Sequence, residues 1–152
     1  MASNMFSIEC PHCGRSAVKD DYYKTDERYI LCLKCGYNYT RTIKSSTANS
    51  LEYTEEEYVG YGVFILVHRD GSSKSMMLND ALTAEKLEEY KRTYMDDHVD
   101  QEKSYLVSYE NGIFTILLGN PPENFHLPFK EFREKMIAKY GELEYDFMVP
   151  LG

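Results

Sequence analysis

The sequence predicts an α+β protein of two parts. A small cysteine-bound β module comes first, and an antiparallel sheet with two helices on one face follows, in the order ββαββαβ. Three observations carry this. All four cysteines fall in the first quarter of the chain as two C-x-x-C pairs. Val59 to His68 is an apolar run with large residues on both alternating faces, the pattern of a central strand. Two later segments carry apolar residues at helical spacing.

The cysteines are Cys10, Cys13, Cys32 and Cys35, with 18 residues between the pairs. A disulfide scaffold would spread its cysteines through the fold, and Met1 to Phe6 has neither the basic nor the apolar region of a secretory signal. A redox motif needs a single C-x-x-C ahead of a helix, which is absent. Zinc takes four ligands in a tetrahedron, and thiolates suit it. The pairs read Cys10-Pro11-His12-Cys13-Gly14 and Cys32-Leu33-Lys34-Cys35-Gly36. The glycine after each second cysteine can take positive φ and let the backbone turn around a metal. His12 reads as a spacer, since four sulfurs already fill the tetrahedron.

On these two motifs, residues 8–44 resemble the zinc-ribbon family. The resemblance implies one Zn²⁺ in a closed, structural site and docking on a partner, commonly in nucleic-acid or transcription machinery. A module this small cannot bury enough apolar surface to fold without the metal.

Charge divides the chain unevenly. Residues 1–44 carry seven Lys/Arg against five Asp/Glu, whereas residues 45–152 carry ten against twenty, within a total of −8. That balance argues against a coat for nucleic acid or an anionic membrane. No run of 18 apolar residues is present. The organisation expected is a ribbon over 1–44, a Ser/Thr/Glu-rich linker over 45–57 and an acidic α+β domain over 58–152, in a cytoplasmic or nuclear protein that is not secreted.

Within the acidic domain, Arg69-Asp70-Gly71 turns the chain and Lys74 to Leu78 returns it. Gly60 and Gly62 flank Tyr61 and read as a bulge or close packing, since no helix follows to make a phosphate loop. Thr83 to Asp96 is a helix with Thr83 or Asp80 as cap and a Leu87, Tyr90, Tyr94 stripe. Asn111-Gly112 joins strands Lys103–Tyr109 and Ile113–Leu118 as a hairpin. Pro128 opens a second helix at its first position, Gly141 closes it, and Phe129, Phe132, Met136, Ile137 and Tyr140 form its stripe. Leu143 to Val149 alternates with acids as an edge strand.

No Walker loop, nucleophile elbow or H-E-x-x-H is present. Asp96-Asp97-His98 with Asp100 reads as a polar loop at a helix end rather than a metal site. A metal-dependent enzyme using Asp96 or His126 is the weakest functional reading. Between the knuckles, Asp26-Glu27 resembles the acidic pair on the hairpin of transcript-cleavage elongation factors. The alternative for that pair is a solvated turn. Lys24, Arg28 and Lys34 interleave with Tyr23 and Tyr29 as a candidate surface for single-stranded nucleic acid or a protein partner.

The leading expectation is a non-enzymatic adaptor that binds another protein, with no small-molecule substrate inferred. Direct nucleic-acid binding through the ribbon and an acidic DNA mimic in the second domain are the alternatives.

Overall fold

The computed structural model describes residues 2–141, which form nine strands in two antiparallel sheets, two α-helices and one short 3-10 turn. They divide into two compact units, one of residues 2–32, 37–59 and 127–141, the other of residues 33–36 and 60–126.

The first sheet is a meander in which each strand pairs with its sequence neighbour. Its strands are β1 (Asn4–Glu9), β2 (Ser16–Tyr22), β3 (Glu27–Leu31), β4 (Asn38–Ser46) and β5 (Leu51–Tyr58). Strand direction alternates, so the β1–β2 and β3–β4 connections lie at one end of the sheet and the β2–β3 turn at the other. Both C-x-x-C turns are the first kind of connection, which is why cysteines 18 residues apart meet.

The stretch expected as a linker, 45–57, is instead the end of β4 and nearly all of β5. Arg41 faces Glu55 and Thr42 faces Thr54 across the pair. The Tyr39 hydroxyl donates to Glu55 at 2.6 Å. β5 is mostly exposed on both faces. Cross-strand pairs and the backbone ladder therefore form it, not apolar burial, and its composition resembles a loop.

The second sheet has strand order β7-β6-β8-β9, from β6 (Gly62–Val67), β7 (Ser73–Met77), β8 (Tyr105–Glu110) and β9 (Ile113–Gly119). β6 is central and buried on both faces, as its apolar run predicts. Phe64, Leu66 and Leu106 pack on one side with Leu87, Tyr90 and Tyr94 of helix α1 (Ala84–Tyr94). Val63, Ile65 and Val107 pack on the other with Phe125 from the 3-10 turn Glu123–His126. Thr83 caps α1, its hydroxyl accepting from the Lys86 amide at 3.2 Å. Asn111 and Gly112 both take positive φ, 51° and 81°, the backbone that a two-residue hairpin requires.

Helix α2 (Phe129–Tyr140) differs from expectation in two ways. Pro128 is its N-cap rather than its first helical residue. The helix also groups with the first sheet and contacts β1, so the two helices do not share one face of the second sheet. Periodicity identifies an apolar stripe but not the sheet that will cover it. The strand expected over Leu143 to Val149 lies outside the described residues.

Phe64 is fully buried and its ring lies 5.2 Å from that of Tyr90. Phe64→Ala should lower unfolding stability by about 3–5 kcal/mol. Urea denaturation followed by circular dichroism would show a lowered midpoint.

Candidate metal centre

The ligand atoms of Cys10, Cys13, Cys32 and Cys35 all lie within 4.8 Å of one another, and the Cys13 and Cys32 sulfurs are 3.6 Å apart. A tetrahedral metal with bonds of about 2.3 Å to sulfur places its ligands about 3.8 Å apart. The four cysteines therefore fit one metal ion, with every position supplied by the protein. Cys10, Cys32 and Cys35 are buried and Cys13 is half-buried.

Local backbone geometry aims the sulfurs. Gly14 and Gly36 take φ of 74° and 81°, as expected of the glycine after each second cysteine. In the first turn the Gly14 amide donates to the Cys10 carbonyl at 3.0 Å. The His12 amide donates to the Cys10 sulfur at 3.4 Å. In the second turn the Cys32 amide donates to the Tyr37 carbonyl at 2.9 Å. Of these amides only that of His12 is directed at a sulfur, a contact that suits a metal-bound thiolate.

A support that sequence reasoning did not assign holds the second turn. The Gly62 amide donates to the Cys35 carbonyl at 2.7 Å. A Cβ on Gly60 would collide with that same carbonyl, and a Cβ on Gly36 would collide with the carbonyl of Gly62. Close packing at Gly60 and Gly62 is thus as expected: Gly60 lies against the cysteine turn, whereas a Cβ on Gly62 would collide with the Val107 carbonyl of β8. The signal available in the sequence was two glycines around one tyrosine, which does not name a partner.

Tyr37 lies behind the cluster and is 4% exposed. Its hydroxyl donates to Glu57 at 2.6 Å, and its ring stacks on His12 at 6.3 Å. Burial first, and the Glu57 carboxylate second, push its ionisation well above the ordinary tyrosine range. Tyr39 is shifted the same way, chiefly by its hydrogen bond to Glu55.

The remaining candidates fall elsewhere. Tyr23, Lys24, Asp26, Glu27 and Arg28 gather at the β2–β3 end of the first sheet. At about 3.4 Å per residue, strands of this length put that end roughly 20 Å from the cysteines, beyond reach of the metal. Asp26 sits in the turn with φ 59° and pairs with Arg41 at 3.2 Å. The Glu27 carboxylate accepts from the Ile43 amide at 3.4 Å. Arg28 pairs with Asp21 at 2.8 Å, and that hydrogen bond raises its pKa further. Tyr23 and Lys24 are exposed. Tyr29 meets Tyr22 edge-on at 5.7 Å. Lys34 lies within the second cysteine turn, at the opposite end of the sheet.

The Asp96 carboxylate accepts from the His98 amide at 2.8 Å, a local turn. Among the described residues, the four cysteines are the one group of three or more His, Cys, Asp or Glu placed to share a metal ion. No helix among them is long and apolar enough to cross a membrane. Comparison with family models, with curated proteins and with solved structures gives no match.

Gly60→Ala must displace the Cys35 carbonyl. It should weaken binding of added Zn²⁺ by about tenfold or more, as loss of an outer support does. Competition against a chromogenic chelator measures this. Tyr37→Phe removes one hydrogen bond to an exposed carboxylate and should cost about 1 kcal/mol in thermal unfolding of the metal-loaded protein.

Proposed function

We propose that the chain is a non-enzymatic zinc-ribbon adaptor, whose single Zn²⁺ is structural and which docks on another protein, one belonging to nucleic-acid or transcription machinery. The supporting observation is the closed set of four cysteines. A metal held by four sulfurs keeps no open position for water or substrate, so its work is to hold the chain in shape.

Charge on the first sheet favours a protein partner over direct nucleic-acid contact. Lys19 and Arg28 are paired with Asp21, and Arg41 with Asp26. Arg41 also stacks on Tyr53 at 4.1 Å. Cations already engaged with carboxylates release few counterions from a phosphate backbone, and that release is what drives such binding. Exposed Tyr23 beside Lys24 supplies an amphipathic contact suited to a protein surface.

Affinity capture from native lysate, with and without nuclease, tests this reading. A specific protein that remains after nuclease treatment, and is lost with Tyr23→Ala, is the expected result. Partners that disappear with nuclease, or an affinity for single-stranded oligonucleotide that falls steeply with salt, would replace it with direct nucleic-acid binding.

A further inference from the structure

β5 is an outer strand of the first sheet, paired on one side only, with β4. Two hairpins fix which of its backbone groups face outward. The turn before β5 is closed by the Thr47 amide, which donates to the Ser50 carbonyl at 2.9 Å. Bonded and unbonded pairs alternate from there. Glu52, Thr54, Glu56 and Tyr58 therefore bond to β4, while Tyr53, Glu55 and Glu57 turn their amides and carbonyls outward. The hairpin at the other side of β4 gives the same phase. The Cys32 amide donates to the Tyr37 carbonyl, so Tyr39 and Arg41 bond to β3, and Thr40 and Thr42 bond to β5 opposite Glu56 and Thr54. Among the described residues, nothing bonds to the outward amides of Tyr53, Glu55 and Glu57.

The same strand carries Glu52, Glu55, Glu56 and Glu57. Their carboxylates accept from hydroxyls. Glu52 accepts from Ser45 and Glu56 from Tyr58, each at 3.2 Å, and Glu55 accepts from Tyr39 and Glu57 from Tyr37, each at 2.6 Å. Among the described residues none of the four is in an ion pair. Arg41 stands opposite Glu55 but pairs with Asp26 and stacks on Tyr53. By contrast, Asp21 and Asp26 are each held by a cation. An open ladder and uncompensated negative charge thus coincide on one strand.

The geometry points to an extended segment of another protein, with Lys or Arg at three successive positions, as a sixth strand antiparallel to β5. Backbone bonds to Tyr53, Glu55 and Glu57 supply its ladder, as in other strand additions. Successive side chains point to opposite faces, so cations opposite Glu55 and Glu57 share one face and a cation opposite Glu56 takes the other. Opposite charges directly across a pair stabilise it, and like charges oppose it. A second copy of β5 would set Glu against Glu, which excludes it as the occupant. The chain has no run of three Lys/Arg of its own to fill the place. The inference rests on the adaptor reading for there being a protein partner, and adds the chemistry of the segment that partner presents.

The probe is a synthetic peptide with three central lysines between valine and threonine residues, titrated into the full metal-loaded chain and followed by fluorescence anisotropy. It should bind, and hydrogen exchange at the Tyr53, Glu55 and Glu57 amides of the unaltered chain should slow. Glu56→Lys should weaken binding by about tenfold. Glu88→Lys, the same change at an exposed acid of α1, should leave it as it was. Methylating the peptide nitrogens that face β5 should abolish binding, and methylating the alternate ones should not. Absence of binding, equal weakening by the two substitutions, or binding that leaves the three amides unprotected overturns the inference. A peptide that binds as described while native lysate yields no protein partner removes the adaptor reading and keeps this surface. A captured partner with no peptide binding removes this surface and keeps the adaptor reading.

Discussion

Four sulfurs converge within 4.8 Å at one end of the first sheet, three of them from buried side chains. Thiolates this close repel one another in a buried site unless a cation neutralises them. The first sheet has little else at its centre. Among the described residues of the unit that contains it, the buried side chains besides the cysteines are Ser7, Ser16, Ala17 and Tyr37 of the sheet and Phe132 of α2. Apolar burial on that scale cannot offset the entropy of ordering five strands. A metal held by the four cysteines would supply the cross-linking that so small an apolar set does not, and the backbone features around the cluster bring the sulfurs to one point.

The second sheet is built on the opposite plan. Phe64 and Leu66 face one apolar layer while Val63 and Ile65 face the other, and these four residues of β6 are nearly inaccessible to solvent. Its stability comes from area removed from water. The same unit also holds the turn that carries Cys35, through the Gly62 amide and the absence of a side chain on Gly60. The start of β6 thus restrains one of the four clustered cysteines.

Legibility in the sequence followed the strength of the local constraint. Gly14 and Gly36 were readable because a C-x-x-C turn has few backbone solutions. β6 was readable because a strand buried on both faces must be apolar throughout, and Asn111-Gly112 because few other dipeptides accept two positive φ values. Where the constraint is tertiary, the sequence was silent. β5 has the composition of a loop because its faces are wet, and it forms through Tyr39, Arg41 and Thr42 of its neighbour. The stripe of α2 predicts a covered face and was expected on the second sheet, whereas α2 groups with the first. Gly60 showed that something approaches closely, but not that it is the carbonyl of Cys35. Asp26 lies in the β2–β3 turn and Glu27 opens β3, and the ion pair of Asp26 with Arg41 depends on a strand 15 residues away in sequence.

If a metal held by the four cysteines stands in for a core in the first sheet, removing it must unfold that sheet. Backbone hydrogen exchange, read residue by residue before and after a strong chelator, shows whether it does. Chelation should abolish protection through β1 to β5 and at the Gly62 amide, and Zn²⁺ should restore it. Protection in β1 to β5 that survives complete removal of metal would mean that the sheet stands without it.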